Sequence, residues 1–229
     1  MKKTEIIIGA KNALPICLSV IPVGISYGIL AIKAGMTTFQ TVLMSALVMA
    51  GSSQLTVVGM LSSASVAGMI MATFFINLRH IVMSSSVMNR LKNSSLASKL
   101  VCSFALCDES FAVFSVSKSN ESGFLFGANS ALYLFWILSS FCGCILGRFL
   151  PEVISKSFNV AFYASFLAML IPNVKMKKGL LIPILLSAIV NTVLQLFLPS
   201  NYCVIIAMIF GALAGTFLIK EDEEENEKP

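Results

Sequence analysis

The sequence predicts an all-α, polytopic integral membrane protein, and three observations carry that expectation. Hydrophobic residues fill 57% of the 229 positions and charged ones 12%, for a mean hydropathy of +0.88. Eight of the 27 charged residues crowd into the last ten positions, so residues 1–219 hold few. Apolar runs of bilayer-spanning length recur between short polar connections. A soluble core of this size would need a charged exterior that these residues do not offer, so lipid is the expected solvent.

Hydropathy places segments at 13–32, 38–61, 66–87, 100–117, 124–149, 158–171, 179–198 and 202–219. The sixth is short against the ~20 residues of a comfortable span, so seven to eight transmembrane segments are expected, some broken or short. Residues 1–219 read as one transmembrane domain and 220–229 as an acidic, disordered tail. Lys2 and Lys3 precede an apolar run. It shows no small-residue cleavage site and is interrupted by Pro15 and Pro22, so it reads as part of the mature protein.

Eight spans would put both termini on one side with nine Lys and Arg against six, which favours the cytoplasm for both ends of a cytoplasmic-membrane protein. The halves also echo each other. Each has a glycine-punctuated helix, a segment with a polar middle and a later helix with a lone asparagine, Asn77 and Asn191, an arrangement found in transporters built from repeats.

Composition narrows the chemistry. All six cysteines fall in apolar segments and read as small hydrophobes, and His80 is the single histidine, so no metal site, cofactor or nucleic-acid partner is expected. No histidine pair flanks a glutamate, and no two aspartates on separate helices face each other as catalytic partners, so an intramembrane enzyme is disfavoured.

Candidate site residues follow from polar groups placed where they are costly. In segment one, Pro22 and Gly24 allow a helix break whose backbone faces a ligand, or else a packing kink. Segment two carries Ala50, Gly51, Ser52, Ser53 and Gln54; the Gln54 amide suits a zwitterion or a neighbouring helix. In segment three Thr73, Asn77, His80 and Ser84, at spacings of four, three and four, form one polar stripe, while Arg79 points off it. In segment four Asp108 and Glu109 diverge by about 100° on a helix, so one is free to neutralise Arg79 and the other to titrate. His80 either exchanges protons near neutral pH or stays a neutral hydrogen-bonding group.

These blocks resemble a known family. Pro22, Gly24, Tyr27 and Gly28, then Ala50, Gly51, Ser53 and Gln54, then Asn77, Leu78, Arg79 and His80, then Asp108, Glu109, Ser110 and Phe111 are similar, in order over about residues 10 to 115, to the signatures of the AzlC (BrnF, YgaZ) branched-chain amino acid exporters. The resemblance implies a permease that expels leucine, isoleucine, valine and often methionine. It also implies a small AzlD-like membrane subunit as partner and coupling to the proton gradient. Where such proteins often carry a Leu, Asp, Phe, Ala run, this chain has Phe158, Asn159, Val160 and Ala161, which shifts proton coupling onto Asp108, Glu109 and His80. A non-transporting membrane scaffold is the alternative reading.

Overall fold

A computed structural model describes residues 1–150, 171, 179, 181–198, 203, 206–207, 209–211 and 213–216. The short sixth segment with Lys156 and Asn159, and the acidic tail, lie outside the described residues. Nine helices are described: α1 (Lys3–Lys33), α2 (Thr38–Leu47), α3 (Gly51–Met60), α4 (Val66–Asn77), α5 (Arg79–Arg90), α6 (Leu96–Phe104), α7 (Asp108–Val116), α8 (Ser122–Phe149) and α9 (Leu181–Leu194). No strand occurs among the described residues. The fold is all-α, as predicted. The contacts divide it into one unit of residues 1–62 and 76–162 and another of 63–75 and 163–229.

The first unit is organised on α1 and α8. A Cβ on Gly9 or Gly28 would run into the α8 backbone at Phe124 or Ser140, and one on Gly127 or Gly143 would meet Ile6 or Ile25 of α1. The contacts advance together along both chains, so the two helices run parallel at backbone contact, the packing that small residues permit where lipid supplies no hydrophobic drive. Each end is fastened: Lys2 Nζ to Glu121 Oε1 at 3.1 Å, and Lys33 Nζ to the Leu150 carbonyl at 3.1 Å.

The break that Pro22 and Gly24 allow in segment one does not form. α1 is a continuous 31-residue helix with Pro15 and Pro22 inside it. Both prolines lie on its exposed face, while Gly9, Ala13, Cys17, Gly24 and Gly28 are buried. The missing donors therefore fall away from the α8 contact, and packing along the other face keeps the helix in one piece.

The breaks come instead in segments two and four, each built as two half-length helices. α2 starts with a capping box in which Thr37 and Gln40 satisfy each other's amides, beside Arg148 at the end of α8, whose Nη2 donates to Thr38 Oγ1 at 2.8 Å. It reaches Ser45, hydrogen-bonded to Ser140 at 2.9 Å, and stops. Val48 is extended and Ala50 non-helical before α3 begins. α6 starts at the opposite end, near the beginning of α8. Asn129 donates to the Cys102 carbonyl at 2.7 Å, and Phe104 sits 6.4 Å from the Tyr133 ring. After a break at Ala105–Cys107, α7 turns back, so that Phe114 meets Phe124 at 6.2 Å and Ser119 reaches Glu5 at 3.0 Å. The α6–α7 pair thus enters and leaves on the face where α1 and α8 begin. At 1.5 Å per residue its nine-residue helices are about 13 Å long, half of a ~30 Å hydrocarbon core.

Among the described residues, three helical stretches are long and apolar enough to cross a membrane: Lys3–Lys33, Val66–Arg90 (α4 and α5 together) and Ser122–Phe149. Arg90 lies beside Ser117 and Ser119, on the face where α1 and α8 begin. Gln54 of α3 donates to Ser45 of α2 and accepts from Trp136, so the start of α3 lies back beside the end of α2. Segment four is therefore a re-entrant hairpin, and segment two enters from the opposite face. Arg90, Lys92 and Lys99 accordingly share a face with Lys2 and Lys118, a correction to the side that full spans would have given them.

In the second unit α4 begins under a Ser65 cap on the Gly68 amide. Within α9 the Ser187 hydroxyl donates to the Pro183 carbonyl at 2.8 Å, and Gly211 packs against Ser187.

Candidate functional site

The two hairpin tips are linked at mid-depth by one side chain. Arg79, the first residue of α5, places Nη2 2.8 Å from Asp108 Oδ2 at the tip of α6–α7 and donates from the same nitrogen to Ser52 Oγ at the tip of α2–α3. Its Nε is buried with no hydrogen-bond partner. Beside it, Ser53 donates to Asn77 Oδ1 at 2.8 Å, and His80 Nδ1 lies 3.3 Å from the Asn77 carbonyl. The Arg79 and Asp108 side chains are 36% and 22% exposed, so the pair is held but not sealed.

Local chemistry explains the tips. At α7 the Ser110 hydroxyl accepts from the Cys107 amide at 3.0 Å. Asp108 and Glu109 occupy the first turn, where carboxylates complement the free amides and the helix dipole. The α3 tip is built differently: Ala50 gives no side-chain cap, and the first turn of Gly51, Ser52 and Ser53 carries no acid. A helix start without a side-chain cap suits an anionic group. A cationic guanidinium, that helix start and the Asp108 carboxylate therefore meet, with Glu109 the next residue on α7.

Of the residues singled out by sequence, Asn77, Arg79, His80 and Asp108 come together, with Glu109 adjacent in the chain; Glu109 makes no ion pair among the described residues. Pro22 and Gly24 are not brought to this cluster: Pro22 is exposed on α1 and Gly24 faces Ser139. Gln54 is fully buried with its amide engaged at both ends. It accepts from Trp136 Nε1 at 2.9 Å and donates to Ser45 Oγ at 3.2 Å. Thr73 turns its hydroxyl onto its own helix at Met69.

Gly24-Ile25-Ser26-Tyr27-Gly28 matches the spacing of a hydrolase nucleophile elbow. It lies in the middle of a continuous helix, with Ser26 2% exposed and donating to the Pro22 carbonyl at 2.8 Å, so no strained turn presents the serine.

Sequence reasoning missed the residues that hold the tips. Tyr133 donates to the Ala46 carbonyl at 2.8 Å near the end of α2, and Asn129 donates to Cys102 near the end of α6. Trp136 holds Gln54, and Ser140 accepts from Ser45. These four residues of α8 recur at spacings of four, three and four, the same polar periodicity that marked segment three. They satisfy carbonyls and side chains of interrupted helices that have no water to turn to.

The family model described as AzlC protein matches residues 15–150. An uncharacterized membrane protein of Archaeoglobus fulgidus is 32% identical over 169 residues, 73% of this chain and 75% of that protein. The inner membrane protein YgaZ of Escherichia coli is 27% identical over 217 residues, 92% of this chain and 80% of its own length. The branched-chain amino acid transport protein AzlC of Bacillus subtilis is 25% identical over 157 residues, 65% of this chain and 61% of its own. No solved structure matches the chain. With the family model covering more than half of the sequence, and the polar blocks of that stretch gathered at two helix tips, the chain belongs to the AzlC family of membrane transport proteins.

Proposed function

We propose that this protein exports branched-chain amino acids, leucine, isoleucine and valine, with methionine as a further substrate, across the cytoplasmic membrane in exchange for protons, together with a small AzlD-like membrane subunit. The observation that carries the reading is the meeting of two half-helix tips at Arg79. A zwitterion needs one site for its carboxylate and one for its ammonium group, and transporters place such sites at the broken middles of helices. Here the uncapped start of α3 and the Arg79 guanidinium suit the carboxylate. Asp108 and Glu109 suit the ammonium group or a proton. Asn77, held by Ser53, supplies an amide at the same level. The name of the Bacillus subtilis relative supports the substrate class.

The two acids divide the work. Asp108 is committed to Arg79, and the pair keeps both charges affordable at depth. Glu109 makes no ion pair among the described residues, so it is the group that loads and releases the coupling proton, with His80, next to Arg79, to relay it. Gln54, Pro22 and Gly24 act on the substrate only through the scaffold that sets α3 against α8.

Orientation follows from charge. Among the described residues, Lys2, Lys3, Arg90, Lys92, Lys99 and Lys118 belong to the face where α1 begins, against Lys33 and Arg148 on the other. The excess of basic residues puts that face, and the amino terminus, in the cytoplasm.

The test is substrate flux in everted vesicles and proteoliposomes carrying this chain with its small subunit. Uptake of radiolabelled leucine driven by an imposed proton gradient is expected, and Asp108→Asn and Glu109→Gln abolish it while the protein still reaches the membrane. Full export by both variants removes the acids from the mechanism. No flux of any amino acid, with or without the subunit, makes the chain a scaffold.

A further inference from the structure

Arg79 has a counterpart at the other end of the same helix. Arg90, the last residue of α5, spreads its guanidinium over the chain leaving α7. Nη1 donates to the Phe114 carbonyl at 2.7 Å, Nη2 to the Ser117 and Ser119 carbonyls at 2.8 and 2.6 Å, and Nε to Asn120 Oδ1 at 3.1 Å. The guanidinium carbon also sits 4.2 Å from the centre of the Phe114 ring. The Phe114 carbonyl also accepts from the Ser117 amide and hydroxyl, those of Ser117 and Ser119 lie at and beyond the end of α7, and a planar, permanently charged fork is the side chain suited to collecting several carbonyls at once. α7 is thus strapped to α5 at its first residue by Arg79 and at its end by Arg90.

The other tip is strapped elsewhere. α3 is held through Gln54 to Ser45 of α2 and Trp136 of α8. Among the described residues the side-chain hydrogen bonds between the two groups at the tips are Ser52 to Arg79 and Ser53 to Asn77, while Ser119 to Glu5 ties the far end of α7 to α1. Against α8, α7 offers rings such as Phe114 on Phe124, contacts that slide at small cost because dispersion has no fixed direction.

We propose that Arg90 is a positioning residue for transport: it makes α5 and α7 one moving body, so that the contacts which part as substrate passes are Ser52 to Arg79 and Ser53 to Asn77, while Arg79 to Asp108 stays closed. This rests on the reading of the tips as the transport site. It adds that the ion pair is carried with the moving body and is not itself the gate. Two-state elements moving as rigid pieces are the usual form of such transitions.

Spin labels on exposed positions read the motion directly. Val82 of α5 is 73% exposed and Val116 at the end of α7 86% exposed; Leu61, just past α3, is 37% exposed. In the full chain with its small subunit, the Val82–Val116 distance is expected to be single and narrow, unchanged by leucine and a proton gradient, while Leu61–Val82 shifts. Arg90→Gln is expected to broaden Val82–Val116 with no substrate present and to lower the maximal flux roughly tenfold with little change in KM, the size of one lost charge-assisted hydrogen bond. Arg90→Lys, which keeps the charge but not the fork, falls between, and replaces Arg90→Gln should that variant fail to reach the membrane.

A Val82–Val116 distribution left unchanged by Arg90→Gln and Arg90→Lys overturns the proposal. So does one that moves with substrate while Leu61–Val82 stays fixed. The broadening is read without substrate, so an error in the substrate class leaves this result standing.

Discussion

Replacing Asp108 with asparagine tests whether the tip-to-tip link holds the fold as well as serving transport. The change keeps the shape of the side chain and removes the charge that faces Arg79 Nη2 at 2.8 Å. With the side chains 36% and 22% exposed, an intermediate effective dielectric applies. Two unit charges about 4 Å apart then attract by about 4 kcal/mol at an effective dielectric constant of about 20. Desolvation takes back half or more of that, leaving the intact pair worth about 1–2 kcal/mol. Removing one partner costs more than the pair is worth, because the guanidinium loses its countercharge, keeps only neutral acceptors such as Ser52, and Arg79 Nε already lacks a partner. Asp108→Asn is therefore expected to cost about 2–3 kcal/mol. Arg79→Gln with Asp108→Asn should cost less than the sum of the singles by about 1–2 kcal/mol. Equilibrium unfolding in lipid nanodiscs of the wild type, both singles and the double variant measures this. Singles that each cost under about 0.5 kcal/mol and add independently would refute the linkage.

Two further outcomes follow from other parts of the structure. Gln54→Leu removes the partner of both Trp136 Nε1 and Ser45 Oγ in a fully buried setting. It is expected to lower stability by about 2–4 kcal/mol, two buried groups at 1–3 kcal/mol each with some relaxation, in the same unfolding assay. Cysteines placed at Ser94 and at Gly35, on a background lacking the exposed Cys142, should label from opposite sides of the membrane, Ser94 from the cytoplasm. Labelling of both from one side would remove the re-entrant α6–α7 hairpin and the orientation together.

The helical class and the polar blocks were legible because each rests on a local property: hydrophobic run length, or a charge where lipid makes charge expensive. The pairing of Arg79 with one acid followed from the same reasoning, since only two acids lie at mid-segment. The position of the breaks was not legible. Pro22 and Gly24 are the stronger helix breakers by propensity, yet α1 runs through them because α8 lies against its whole small-residue face. The helix instead breaks at Val48–Ala50 and Ala105–Cys107, where no proline or charge run marks it. What permits those breaks is remote in sequence: Tyr133 and Asn129 on α8, supplying donors to stranded carbonyls. For Gln54 the sequence left a ligand and a neighbouring helix open, since an amide beside small residues suits either, and only the fold shows Trp136 against it.

The close parallel seating of α1 and α8 also constrains how the protein is made. The glycine face of α1 finds its complement only after the 88 residues of 34–121 have been synthesised. At ~5–20 residues per second that is a wait of roughly 4–18 s. Throughout it the first hairpin has neither Trp136 nor Tyr133 to bond with. The nascent chain must spend that interval with its interrupted backbone sheltered by the insertion machinery, and completion of α8 is the event that lets it go.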